Sequence, residues 1–202
     1  DGLYAYLAAG PGGIHVLDIS DPGRPRRIGG FNTRGFATRV AVSGNLLCVA
    51  DGTPALTLLD VSDPSNPVYR GELDDGAASE VVMLGSVAYL ASSDGIRVVD
   101  LTEPSVPQML TNATPGAGSV GTLSLQGKWL YGSSSGQGLL ALDVSDSRAP
   151  RSVSTGLRAG FFTGVAALGN RVALAGSSPE LTVVNVSRPD TQGQFQVEDR
   201  RG

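Results

Sequence analysis

The residues best placed to do chemistry in this sequence recur as a string, Asp60-Val61-Ser62-Asp63-Pro64, in which an apolar run ends on an acid and a second acid follows. The leading acid falls at Asp18, Asp60, Asp100 and Asp143, and Asn185 takes its place in the last copy. Carboxylates and a hydroxyl at that spacing could ligate a hard cation, or they could close a turn. A calcium ion needs roughly six to eight oxygens from close range. Repeated units spread their equivalent positions around a periphery, so these acids cannot gather on one ion. The turn needs only local geometry: Asp and Ser oxygens accept backbone N–H groups while Pro fixes φ. The five positions are read as structural turn caps, with no metal and no cofactor expected.

Three other constellations are weighed against the elements that would have to hold them. Gly116-Ala117-Gly118-Ser119-Val120-Gly121 matches a dinucleotide fingerprint, and Asp143 lies 22 residues beyond it. That fingerprint works when a strand precedes it and a helix opens on it, because the helix N-terminus holds the pyrophosphate. Here a strand follows instead. Gly132-Ser133-Ser134-Ser135-Gly136 matches a serine elbow, which needs a strand-to-helix turn. This stretch joins two strands, and His15, the sole histidine, stands three repeats from Ser134. A serine nucleophile and its base must be within hydrogen-bond reach. Asn112-Ala113-Thr114 is a glycosylation-type sequon on a segment expected to be exposed, a pattern that also arises by chance.

Bulk composition narrows the classes further. Charged residues make up 17% of the chain and hydrophobic residues 41%, which suits a buried core and not a disordered segment. A net charge of −4 argues against binding a phosphate backbone. Arg24, Arg26 and Arg27 cluster locally and are read as a solvated turn. Cys48 is the sole cysteine and lies within an apolar run, so no intrachain disulfide can form. No apolar run reaches the ~18 residues needed to span a bilayer, so no transmembrane segment is expected.

What must position any site is a repeat. The four acids and Asn185 follow one another at 42, 40, 43 and 42 residues, and each unit divides into four strand-like segments. In the second unit these are residues 39–43, 46–50, 56–61 and 68–73, separated by Gly44, by Asp51-Gly52 and by the acidic turn. The inner segments are apolar on both faces and the fourth is polar. Four strands in about 42 residues, without helical periodicity, indicate an all-β fold, a β-propeller with four-stranded antiparallel blades. Approximate blades are 2–33, 38–74, 79–114, 120–156 and 162–198, read as one domain. The first lacks its innermost strand. Two readings follow: a piece of a larger propeller, or a five-bladed ring with one three-stranded blade. The piece is favoured because an unpaired inner edge is a liability.

The segment 56–67, Leu-Thr-Leu-Leu-Asp-Val-Ser-Asp-Pro-Ser-Asn-Pro, closely resembles the LVIVD repeat. Residues 14–25 and 96–107 follow it with small departures; the fourth copy has Ser147 for the first proline, and the fifth lacks both the acid and the second proline. The resemblance implies a β-propeller of the kind common in secreted or cell-surface proteins of bacteria and archaea. It brings no catalytic residues, because the family is mostly without assigned activity.

Residues able to converge are those at and before the first strand of each blade, in the loops 32–38, 74–79, 114–121 and 156–163. Strand starts Arg39, Glu80 and Thr122 differ in type, whereas the following core positions Val40, Val81 and Leu123 do not. Phe36, Phe161 and Phe162 add aromatic area, and Arg34 with Asp75 adds charge. Variation framed by constant packing is where a repeat scaffold carries recognition. Inter-blade packing of the Phe residues and plain solvation of the charges is the competing explanation. The expectation is a non-catalytic interaction scaffold, exported or surface-attached, that takes a protein or glycan partner on the axial loop face. The alternative is a propeller enzyme whose active site, at the channel mouth, is completed by residues outside this chain.

Overall fold

The computed structural model describes residues 2–114, 116–153, 162–176 and 181–186, together with the backbone of 196–199. Among these residues there is no helix, only strands joined by turns. The first sheet contains β1 (Tyr4–Ala8), β2 (Ile14–Asp18) and β3 (Arg26–Phe31). The second contains β4 (Arg39–Ser43), β5 (Leu46–Ala50), β6 (Leu56–Asp60) and β7 (Val68–Leu73). The third contains β8 (Glu80–Leu84), β9 (Val87–Ser92), β10 (Gly95–Asp100) and β11 (Gln108–Asn112). The fourth is built from β12 (Val120–Gln126), β13 (Trp129–Ser134), β14 (Gly138–Asp143) and β15 (Arg151–Val153). The last is built from β16 (Phe162–Leu168), β17 (Arg171–Gly176), β18 (Thr182–Asn185) and β19 (Gln196–Asp199). Each sheet is a meander whose neighbours in space are neighbours in sequence, which is the blade of a β-propeller.

The turn between first and second strands repeats one solution. Gly44, Gly85, Gly127 and Gly169 have φ of 58°, 60°, 56° and 61°. A Cβ at any of them would meet nothing within 4 Å, so backbone conformation alone selects glycine there.

By contacts the chain divides into two units, Asp1–Leu90 with Val99–Met109, and Ala91–Val98 with Leu110–Gly202. In the first unit, strand β5 explains why both faces of an inner strand are apolar. Leu47 and Val49 enter a cluster with Ile14, Val16 and Leu59. The alternating residues Cys48 and Ala50 enter a different cluster with Leu58, Ala88 and Leu90. Side chains of a strand alternate between faces, so one strand serves two cores. Neighbouring first strands also meet, β4 lying against β8, and β1, the innermost strand present in the three-stranded sheet, lies against β4.

Fourth strands carry a notch for the neighbouring turn. A Cβ on Gly71 would lie 2.3 Å from Pro104 O, and one on Gly29 would lie 2.6 Å from Ser65 O. Each glycine thus admits the backbone of the acidic turn in the following repeat, a close approach that no side chain permits.

In the second unit, Tyr131, Leu139 and Ala141 pack with Val172, Leu174, Val184 and Val186. Burial pushes the Tyr131 phenol up to about 12. Here the first strands are joined by hydroxyls. Thr122 Oγ1 accepts the Val165 N–H at 2.8 Å, and Ser124 Oγ accepts the Ala167 N–H at 3.0 Å. Strand β12 begins two residues before the strand start expected at Thr122 because its pairing with β13 continues across a register shift between Val120 and Leu123.

Candidate interaction surface

The repeated acids sit at the ends of third strands. Asp18 Oδ1 accepts Ser20 N–H at 2.9 Å, Asp60 Oδ1 accepts Ser62 N–H at 2.8 Å, and Asp143 Oδ1 accepts Ser145 N–H at 2.9 Å. Asp100 Oδ1 accepts both the N–H and the hydroxyl of Thr102. The second acid repeats the device in three strings, as Asp21 does for Gly23, Asp63 for Ser65 and Asp146 for Arg148, while Glu103 accepts the Ser105 hydroxyl. Asp60 also accepts from Arg70 at 2.5 Å; that bond first, and the Ser62 bonds next, hold its carboxyl well below the usual range. The partners of a cap at Asn185 fall outside the described residues. Among the described residues no three His, Cys, Asp or Glu side chains gather as a metal site.

Ser134 of the elbow-like string is fully buried between β13 and β14. Its hydroxyl donates to Ala117 O at 2.5 Å and accepts the N–H groups of Gly136 and Gln137. Those bonds close a hairpin. The sequon is not the exposed tripeptide its composition suggested. Asn112 Nδ2 donates to Asp94 O, its Oδ1 accepts Thr114 N–H, and Thr114 is buried with Oγ1 accepting Ile96 N–H.

The strand-start candidates separate into two groups. Arg39 Nε donates to Glu80 Oε2 at 3.2 Å, joining the first residues of β4 and β8. Behind them the Thr38 hydroxyl lies 3.0 Å from Ala50 O and 3.1 Å from Ser79 O. Burial raises the Glu80 carboxyl above its ordinary value; the Arg39 charge and the Val81 N–H offset part of that rise. Phe36 lies over Gly10, where a Cβ would be 2.9 Å from its ring, and is still 58% exposed. Asp75 is exposed on the loop that leads into β8.

The remaining candidates are engaged elsewhere. Arg34 reaches Glu72 at 2.9 Å. Thr122 spends its hydroxyl on Val165, and Phe162 packs partly buried against the core of its unit. Phe161 lies outside the described residues.

Sequence reasoning missed Asp51, which it read only as a turn residue. The side chain is fully buried. It accepts Thr33 Oγ1 at 2.6 Å, Thr57 Oγ1 at 3.0 Å and Gly35 N–H at 3.1 Å. The signal was present: an acid directly after an apolar strand, where other copies place Ala9, Ser92 and Ser134.

The sequence pattern of the LVIVD repeat matches residues 1–33, 34–75, 75–114 and 117–155. The chain belongs to the LVIVD-repeat family. The matches end before the fifth sheet, which keeps the strand order of an LVIVD blade without the acid of the motif. Among solved structures, the crystal structure of the computationally designed Ika8 protein is similar with a TM-score of 0.76 at 13% identity. That match covers 98% of this chain and 59% of the designed one, so the LVIVD chain spans little more than half its length. A chain of the nidogen/laminin complex is similar with a TM-score of 0.66 at 11% identity, covering 98% of this chain and 74% of that one. At such identities the likeness concerns the fold alone. No curated protein matches the sequence. No helix among the described residues is long and apolar enough to cross a membrane.

Proposed function

We propose that this LVIVD protein is a non-catalytic recognition scaffold of an exported or cell-surface bacterial protein. Its partner, a protein or glycan, docks where the first strands begin, around Arg39 and Glu80, with Phe36 on the loop that leads into β4. The observation that carries this reading is the Arg39–Glu80 pair, set 41 residues apart in sequence and presented at the starts of the first strands of successive sheets. Behind it, Val81 is buried and Val40 packs half-buried against its own core. Changeable polar ends on a fixed apolar base are how repeat scaffolds alter specificity without altering fold. The similar fold in a protein–protein complex, nidogen/laminin, supports a binding role.

The test pairs a printed glycan array with a fraction of secreted and surface proteins, probed with the chain and with an Arg39→Ala, Glu80→Ala double variant. A ligand retained by the parent chain and lost by the double variant, at unchanged melting temperature, supports the reading. Equal retention by both removes this face from consideration.

A further inference from the structure

A second place on the molecule has the makings of a small-ligand site. A cavity of about 340 Å³ opens beside the second sheet, lined mainly by Phe31, Thr33, Arg34, Thr57, Tyr69 and Glu72. That volume lies at the lower end of small-molecule pockets, enough for one or two rings.

Its two principal side chains share a face only because of a bulge. Tyr69 and Glu72 are three residues apart, and a regular strand would send them to opposite faces. The register of β6 with β7 shifts between Leu58 and Leu59, so that Leu59 opposes Tyr69 while Thr57 opposes Glu72. Thr57 and Leu59 lie on one face of β6, and their partners therefore do too.

The floor is fixed in advance. Thr33 and Thr57, from the loop and from β6, both donate to the buried Asp51 carboxylate, and Gly35 N–H joins them. A ligand entering would not need to order that loop, which removes one common cost of binding.

Charge and shape then select the ligand. Arg34 is paired with Glu72 at 2.9 Å, so the rim carries a planar donor and a planar acceptor with no net charge. An anion drawn to Arg34 meets the Glu72 carboxylate, and a cation drawn to Glu72 meets the guanidinium. Adjacent hydroxyl groups suit both, because a hydroxyl accepts from the guanidinium and donates to the carboxylate. Tyr69 is 45% exposed and Phe31 also lines the cavity, so both offer apolar area to the C–H face of a ring.

We propose that this cavity is a subsite for one neutral pyranose ring, held by vicinal hydroxyls between Arg34 and Glu72 and by stacking on Tyr69. The site is separate from the Arg39–Glu80 pair and stands whether or not that pair binds a partner.

The probes are methyl glycosides of glucose, galactose, mannose and N-acetylglucosamine, with glucuronate, N-acetylneuraminate and glucosamine as charged counterparts. Each is titrated into the isotope-labelled chain while the amide signals of Thr33, Thr57 and Glu72 are followed. At least one neutral glycoside is expected to shift these signals saturably, with a dissociation constant in the millimolar range. Tyr69→Ala is expected to weaken that binding about tenfold or more, whereas Tyr69→Phe, which keeps the ring, stays within about threefold. Glu72→Gln, at unchanged melting temperature, provides a second loss of affinity if Tyr69→Ala is poorly folded. The Arg39→Ala, Glu80→Ala double variant is expected to bind the glycoside as the parent does. The proposal is overturned if no neutral glycoside shifts these signals, if a charged sugar binds more tightly, or if Tyr69→Ala and Glu72→Gln bind like the parent.

Discussion

Arg39 and Glu80 open successive first strands and are tied to each other, Nε to Oε2 at 3.2 Å. The pairing bears on how Glu80 titrates. Burial raises the Glu80 carboxyl and Arg39 pulls it back. Arg39→Ala should therefore move the Glu80 titration to still higher pH, observable as the carboxyl carbon shift during an NMR titration. A carboxyl raised in the folded state favours folding while protonated, and that contribution disappears as pH rises through the folded value. The variant should accordingly lose more stability than the parent across the range just above ordinary glutamate titration. An unmoved or lowered Glu80 titration would mean that the pair does not persist in solution.

The acidic turns have the opposite sign. Asp18 and Asp143 are lowered chiefly by the hydroxyls and N–H groups of Ser20 and Ser145, and Asp60 by Arg70 first. A lowered carboxyl contributes stability above its unfolded value and loses it as pH falls through the folded one. Melting temperature should drop from about pH 5 downward, and Asp60→Asn should flatten part of that drop. A parent and an Asp60→Asn variant with parallel acid profiles would deny the turn its electrostatic share.

Gly71→Ala introduces a Cβ at 2.3 Å from Pro104 O, a clash with backbone and not with a flexible side chain. Chemical denaturation should show a loss of about 1–3 kcal/mol. Gly23→Ala is the control, since its Cβ would only touch Asp21 Oδ1 at 3.4 Å. That change should stay within about 0.5 kcal/mol of the parent.

Asp51→Ala leaves Thr33, Thr57 and the Gly35 N–H without their buried acceptor. Loss of the three bonds should cost about 2–5 kcal/mol in denaturant unfolding. A change below about 0.5 kcal/mol would show that solvent reaches the site and replaces the carboxylate.

Cys48 is fully buried, and desolvation raises its thiol far above the ordinary value. A thiol reagent should therefore label it only as fast as the chain opens, with rates that climb in step with added denaturant. Rapid labelling of the native chain would contradict its placement in the core between β4 and β6.

The blade pattern was legible because it depends on residue type in sequence order. Segments 39–43, 46–50 and 68–73 coincide with strands β4, β5 and β7, and the strand start expected at Glu80 opens β8. Apolar residues on both faces, a turn glycine and an acidic stop are local signals. Bulges are not. The shifts at Val16/Leu17 and at Leu58/Leu59 arise from hydrogen-bond register, which a strand's own residues do not announce. For that reason Tyr69 and Glu72 could not be recognised as neighbours. Arg39, Glu80 and Arg34 were identified as candidates, but their ion pairs join segments about 40 residues apart, and spacing alone could not assign the partners. Asp51 was overlooked because the repeat logic favours what recurs, and this acid occurs in a single copy.

Strand β5 sends Leu47 and Val49 into one core and Cys48 and Ala50 into another. Deleting a single residue there would transpose two interiors at once, delivering each neighbour the side chains shaped for the other. Tolerance to length change must therefore be concentrated in the loops, and lineages of such proteins can grow or shrink safely only by whole repeats.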